Sequence, residues 1–144
     1  MQAREIESIL QSLLSKEAVA FDPPSLEDWN LLESQFGCRF GEDFKFFIAL
    51  MSRYQFPGDI LNVSSGKTNG NDTIAIAFDY EMRFSTWHSE MIPFYAIGNG
   101  DYFCLNKNEC PCSRVFYYYA DRQTFEPYAV SFSEWLRQLP AFLA

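Results

Sequence analysis

The sequence predicts an α+β domain, and three observations carry that prediction. Residues 3–50 repeat apolar side chains at helical spacing. Residues 92–130 are rich in aromatic and β-branched residues, interrupted by clusters that turn chains. A serine and glutamate at capping-box spacing, Ser131 and Glu134, then open a closing helix. Helices first, a mainly antiparallel sheet next and one last helix make a single domain over residues 1–144, with the N-terminal helices packed on the sheet. A chain of this length buries roughly two-thirds of its unfolded surface, so its core needs no staples.

Taken in order, Ile6, Ile9, Leu10, Leu13 and Leu14 form the apolar stripe of an amphipathic helix over residues 3–17, with Arg4, Glu5, Glu7, Gln11, Ser12 and Lys16 opposite. Pro23 and Pro24 remove backbone donors and fix φ, so the chain breaks there. Ser25 stands at an N-cap with Asp28 three residues on, Leu26, Trp29, Leu32 and Phe36 follow at helical spacing, and Gly37 supplies a left-handed stop. The second helix therefore covers residues 26–36. Glu42 and Asp43 place acids in the first turn of a third, whose body over 44–51 is apolar almost all round and so is buried on most sides. Residues 59–63 read as a short strand and 64–71 as a polar loop. The segment 72–84 fits a strand over 74–78 or a helix with Ile74, Ala77, Phe78 and Met82 on one face. Its length and an Asp72 cap favour the helix.

The centre of the sheet is assigned to residues 92–106. Two apolar runs flank Gly98, Asn99, Gly100 and Asp101, residues that tolerate positive φ, which predicts a hairpin or tight corner. Ile92, Phe94 and Ala96 occupy one parity of the first run, Tyr95 and Ile97 the other, and a strand apolar on both faces lies inside a domain. Residues 106–113 form a loop and 115–120 a strand. Residues 121–124 turn, and 125–130 pair back, with Pro127 pointing to an edge. Trp135, Leu136 and Leu139 line the apolar side of the last helix.

The composition excludes several function classes. With a formal net charge of −8 and its eleven Lys and Arg scattered singly, the chain has no phosphate-tracking groove, and its field favours basic partners over nucleic acid or an anionic membrane. The first ten residues carry charges and no apolar signal core, and no apolar run is long enough to span a bilayer, so a cytoplasmic protein with reduced thiols is expected. His88 is the one histidine, and no serine lies in a nucleophile elbow. Cys110, Pro111 and Cys112 make a pair too tight for the usual zinc spacing, completed only by Cys38, Cys104 or His88. Gly98 and Gly100 lack a following helix and a phosphate-binding lysine, so the turn reading replaces a phosphate loop. Paired acids such as Asp79 with Glu81 or Glu42 with Asp43 fit solvated faces and helix starts. No catalytic residue, metal or cofactor is expected. The rival reading, a hydrolase or small-ligand protein, would use Cys110, Cys112 or His88.

Tyrosine is what stands out. Tyr95, Tyr102, Tyr117, Tyr118, Tyr119 and Tyr128 all fall on predicted strands, and alternation must put several on one face. A tyrosine ring buries while its hydroxyl stays wet, which suits a protein-binding face, and the same rings can equally plug the edges of the core as aromatic cross-strand pairs. Tyr95, Asp101, Tyr102, Tyr117, Tyr119, Asp121 and Glu126 are the candidate contact residues for a basic protein partner.

The residues from Leu26 through the third helix, the run I-P-F-Y-A-I-G-N-G-D-Y-F-C-L from Ile92, and the strand-turn-strand-helix from Val115 with its S-F-S-E-W-L together resemble the SUKH superfamily. That group includes fungal Smi/Knr-type cell-wall regulators and bacterial immunity proteins. Gly100 and Asp101 match its Gly-Asp turn, and Trp29 and Phe44 match helix core positions. The chain departs from the family pattern at residues 40–44, where the family's proline is missing, and at Asn106, where the hairpin end is often acidic. The resemblance implies a non-enzymatic domain that binds and neutralises a cognate toxin's catalytic domain, a basic nuclease fitting the acidity. The alternative it implies is a regulatory protein-interaction scaffold.

Overall fold

The computed structural model describes residues 1–16, 22–63 and 73–143. The elements run α1 (Ala3–Leu13), α2 (Leu26–Phe36), α3 (Glu42–Leu50), β1 (Asp59–Ile60), α4 (Ile74–Phe84), β2 (Met91–Ala96), β3 (Tyr102–Asn106), β4 (Val115–Tyr119), β5 (Thr124–Ala129) and α5 (Phe132–Phe142). The strands pair antiparallel in the order β1-β2-β3-β4-β5, so β3 is the middle strand and the β2–β3 hairpin is central, as its two-sided apolar pattern requires. The α+β architecture expected from the sequence is the one found.

Local chemistry explains most element boundaries. Ser25 and Asp28 close a reciprocal capping box, and Gly37 ends α2 at φ +66. Ser131 accepts from the backbone N–H of Glu134 at 3.1 Å and starts α5. Two boundaries differ from expectation. Helix α1 stops at Leu13, four residues short of the predicted end, because residues 14–16 leave it to pair with the segment after α3. There Gln55 N–H donates to the Ser15 carbonyl at 2.8 Å, and Lys16 bridges Tyr54. The cap of α4 is Thr73, whose hydroxyl accepts from Ile76 N–H at 3.1 Å. Asp72 and the expected polar loop over 64–71 lie outside the described residues. The predicted strand over 59–63 is paired as a strand only at Asp59–Ile60.

The sheet carries two cores. Helices α3 and α5 pack on one face, with α1 laid against both, and Trp29 of α2 meets Phe44 at 6.0 Å. Trp135 sits at the middle of that face, 5.0 Å from the Phe94 ring and 5.5 Å from Phe103. A register shift between Pro93 and Tyr95 turns two consecutive side chains, Phe94 and Tyr95, into the same core. Proline has no N–H for the ladder, so a bulge there sacrifices little. On the other face Trp87 closes a smaller cluster with Met91, Cys104, Phe116 and Tyr118, and the indole N–H donates to the Met91 carbonyl at 2.9 Å. The second half of α4 flanks it, Phe78 packing against it and Glu81 accepting from the Tyr102 hydroxyl at 3.1 Å.

Candidate functional site

Strand alternation sorts the candidate tyrosines onto different faces. On β4, Val115, Tyr117 and Tyr119 point to the Trp135 side, while Phe116 and Tyr118 point to the Trp87 side. On β5, Tyr128 stands two residues after Glu126 and so on the Trp135 side, beside Phe103 at 4.8 Å, and the register shift opposite Val115 and Phe116 turns Ala129 to that side as well. Helix α5 covers this face only up to Phe142, which packs on Phe103 at 5.2 Å. Beyond it the margin of β4 and β5 is left to solvent. There Tyr117 lies 4.6 Å from Tyr119 and 6.4 Å from Tyr128, with exposed Glu126 paired across from Tyr117.

The margin is held in place by the hairpin turn. Asp101 accepts the Tyr117 hydroxyl at 2.7 Å through Oδ2 and the Ala120 N–H at 2.8 Å through Oδ1. Its own N–H donates to the Asn99 side chain at 3.0 Å. Gly100 supplies φ +96, and a Cβ there would stand 3.0 Å from that of Ala120, so the turn fits against the end of β4 only as glycine. Burial first, and then the bond to the Asp101 carboxylate, push the Tyr117 hydroxyl well above its ordinary value, so it stays a neutral donor. Arg122, in the β4–β5 turn, lies over the Tyr119 ring at 4.2 Å. The result is an aromatic patch with acids around it.

The seven predicted contact residues therefore divide. Tyr117, Tyr119 and Glu126 share the margin. Asp101 supports it from the hairpin, its carboxylate oxygens occupied by internal bonds. Asp121 is exposed in the β4–β5 turn, 3.8 Å from Arg122. Tyr102 faces the opposite side and fastens α4. Tyr95 is 2% exposed and donates its hydroxyl to the Pro57 carbonyl at 2.6 Å, which makes it a core residue and removes it from any contact surface. The β2 bulge did this, by turning Tyr95 inward beside Phe94. Tyr128, absent from the seven, belongs to the patch. Its strand position and its parity with Glu126 were both legible.

His88 lies 3.7 Å from Glu90 and stacks near Phe125 at 4.7 Å. Among the described residues, no group of three or more His, Cys, Asp or Glu side chains is placed to hold a metal ion. No helix of the described residues is long and apolar enough to cross a membrane. A groove of about 680 Å³ opens at the opposite end of the strands from the tyrosines, between the starts of α3 and α5 and the β3–β4 loop.

A family model described as SMI1-KNR4 cell-wall (SUKH_5) matches residues 5–142, a span that takes in the hairpin turn, all five strands and the closing helix. The chain belongs to the SMI1-KNR4 family. Within that SUKH frame, Gly100 and Asp101 are fold-forming turn residues, and Trp29 and Phe44 are core, as their geometry shows. A crystal structure of a protein from Pseudomonas syringae pv. tomato superposes with a TM-score of 0.68 over 94% of this chain and 96% of that one, at 18% identity, and so shares the fold. No curated protein matches this sequence.

Proposed function

We propose that this SMI1-KNR4-family protein is a non-enzymatic immunity protein that binds a cognate toxin's catalytic domain in the cytoplasm and blocks its substrate cleft. The observation that carries the reading is the solvent-facing margin of Tyr117, Tyr119 and Tyr128 with Glu126, on a chain of net charge −8. Tyrosine anchors supply contact area at low entropic cost, and the acids steer a basic partner into register. A nuclease is basic where it holds phosphates, so an acidic, aromatic surface complements its cleft.

Co-expression with the toxin encoded beside this gene tests the reading. Wild type is expected to co-purify with the toxin and restore growth. The pair Tyr119→Ala and Glu126→Lys is expected to weaken binding by about thirtyfold or more, the scale of an interface hot spot, while the fold is unchanged by circular dichroism. Failure of wild type both to co-purify and to protect overturns it. The description of the matching family model, SMI1-KNR4 cell-wall, favours a second reading as a regulatory interaction scaffold. A pull-down from cells without any toxin locus separates the two, since a scaffold still recovers its partners there.

A further inference from the structure

The β3–β4 loop and the turn between α2 and α3 come from distant parts of the chain and touch at two points. Gly37 ends α2 and delivers Cys38 towards the loop, where it lies beside Cys110, near enough for each thiol to shift the other's ionisation. Both cysteines are half-buried against the main core. Three residues further on, the Gly41 backbone meets the Pro111 carbonyl so closely that a Cβ would lie 2.7 Å from its oxygen. The loop is braced on its own side as well: Glu109 takes a two-point ion pair from Arg114 at 3.0 and 2.8 Å, and the Ser113 hydroxyl accepts from Asn106 N–H at 2.8 Å. The two thiols are thus neighbours on segments that are braced on both sides. The other thiols are placed differently, Cys112 exposed and Cys104 fully buried on the Trp87 face of the sheet.

We propose that Cys38 and Cys110 are a redox-responsive pair, whose disulfide, formed by exchange with a small disulfide such as glutathione disulfide, fastens the β3–β4 loop to the α2–α3 turn. In the first step one protein thiolate attacks a sulfur of the small disulfide. That bond breaks, one small thiolate leaves, and a mixed disulfide remains. In the second step the other protein thiolate attacks the protein sulfur of the mixed disulfide and expels the second small thiolate. The two protein protons end on the two released small thiols, and two electrons pass from the protein sulfurs to the oxidant. Burial, the largest cause for each, pushes both thiols up, Cys110 to about 12, so exchange is slow at neutral pH and quickens as pH rises. The consequence is local. Phe40 and Gly41 on one side and Pro111 and Cys112 on the other wall the groove of about 680 Å³, and the disulfide would fix the spacing of those walls. The pair is remote from the tyrosine margin and stands independently of the partner-binding reading.

The test uses the full chain equilibrated in glutathione buffers of increasing oxidised fraction, quenched in acid, alkylated, digested and mapped by mass spectrometry. The expected result is loss of two of the four alkylation sites with a Cys38–Cys110 linked peptide, reversible by dithiothreitol. Cys112→Ser is expected to keep that link, and Cys38→Ser to lose it. A Cys110–Cys112 link, glutathione adducts as the end product, or four free thiols in the most oxidising buffer would each overturn the proposal. The wild-type map decides this even if a variant fails to fold.

Discussion

The two ends of the sheet are closed by different chemistry. Where β3 begins and β4 stops, a single carboxylate, Asp101, receives a hydroxyl and a backbone N–H and orients the turn against the tyrosines. Where β3 ends and β4 begins, the loop rests on the α2–α3 turn through a thiol contact and a close backbone approach. Directed bonds to a charged acceptor fix orientation as well as distance. A thiol pair and a missing Cβ fix proximity alone. The first end is therefore built to present side chains in one arrangement, and the second to sit close enough for its joint to be altered by chemistry.

Removing the carboxylate should have the largest effect. Asp101→Ala leaves the Ala120 N–H and the Tyr117 hydroxyl without their acceptor, and is expected to cost about 3 kcal/mol in denaturant unfolding, a sizeable share of a domain's stability. Asp101→Asn keeps one acceptor oxygen and should cost less. A double-mutant cycle with Tyr117→Phe is expected to return a coupling of about 1 kcal/mol. Additive losses would show that the turn does not depend on that bond. At the other end, Gly41→Ala keeps an allowed backbone (φ −70, ψ 156) but drives a methyl at the Pro111 carbonyl. Overpacking of this kind should cost about 1–2 kcal/mol. It should also lower the yield of the Cys38–Cys110 link, since the loop must move away to admit the methyl. A large loss on Gly41→Ala with an unchanged yield would mean that the two contacts are uncoupled.

How much of this could be read beforehand follows from which interactions are local. Ser25 with Asp28, Gly37, the Ser131 cap and the Gly98–Asp101 turn are written within a few residues, and each stands where the sequence places it. The early end of α1 was not legible, because it is set by pairing with residues 54 and 55, some forty positions away. The candidate surface was legible as a set of strand tyrosines but not as a surface. Alternation alone cannot anticipate the shift at Pro93, and that shift decides that Tyr95 is core. Nor does spacing tell that Cys110 lies beside Cys38. That contact depends on how a loop folds back on a helix end.

Alkaline titration gives the smallest effect and the finest comparison of the two ends. Cys110 is raised from 9.0 to about 12 by burial, and Tyr117 is raised above 10.0 by burial and by Asp101. For a group raised in the folded state, the stability it contributes is complete below its unfolded value and is lost as pH climbs towards the folded one. The cysteine end should therefore begin to weaken above 9.0 and the tyrosine end only above 10.0. Each group can add at most about 1.4 kcal/mol per pH unit, reduced by solvent screening at half-buried positions. Cys104 and Tyr95, raised by burial elsewhere in the sheet, add a background common to every variant. Urea unfolding across this range should show a shallower decline between 9.0 and 10.0 for Cys110→Ala, and for Tyr117→Phe a change only above 10.0. If Tyr117→Phe instead left the decline above 10.0 unchanged, the hydroxyl would titrate alike in the folded and unfolded chain, as an ordinary exposed phenol does, and the Asp101 bond could not be what holds the tyrosine margin in place.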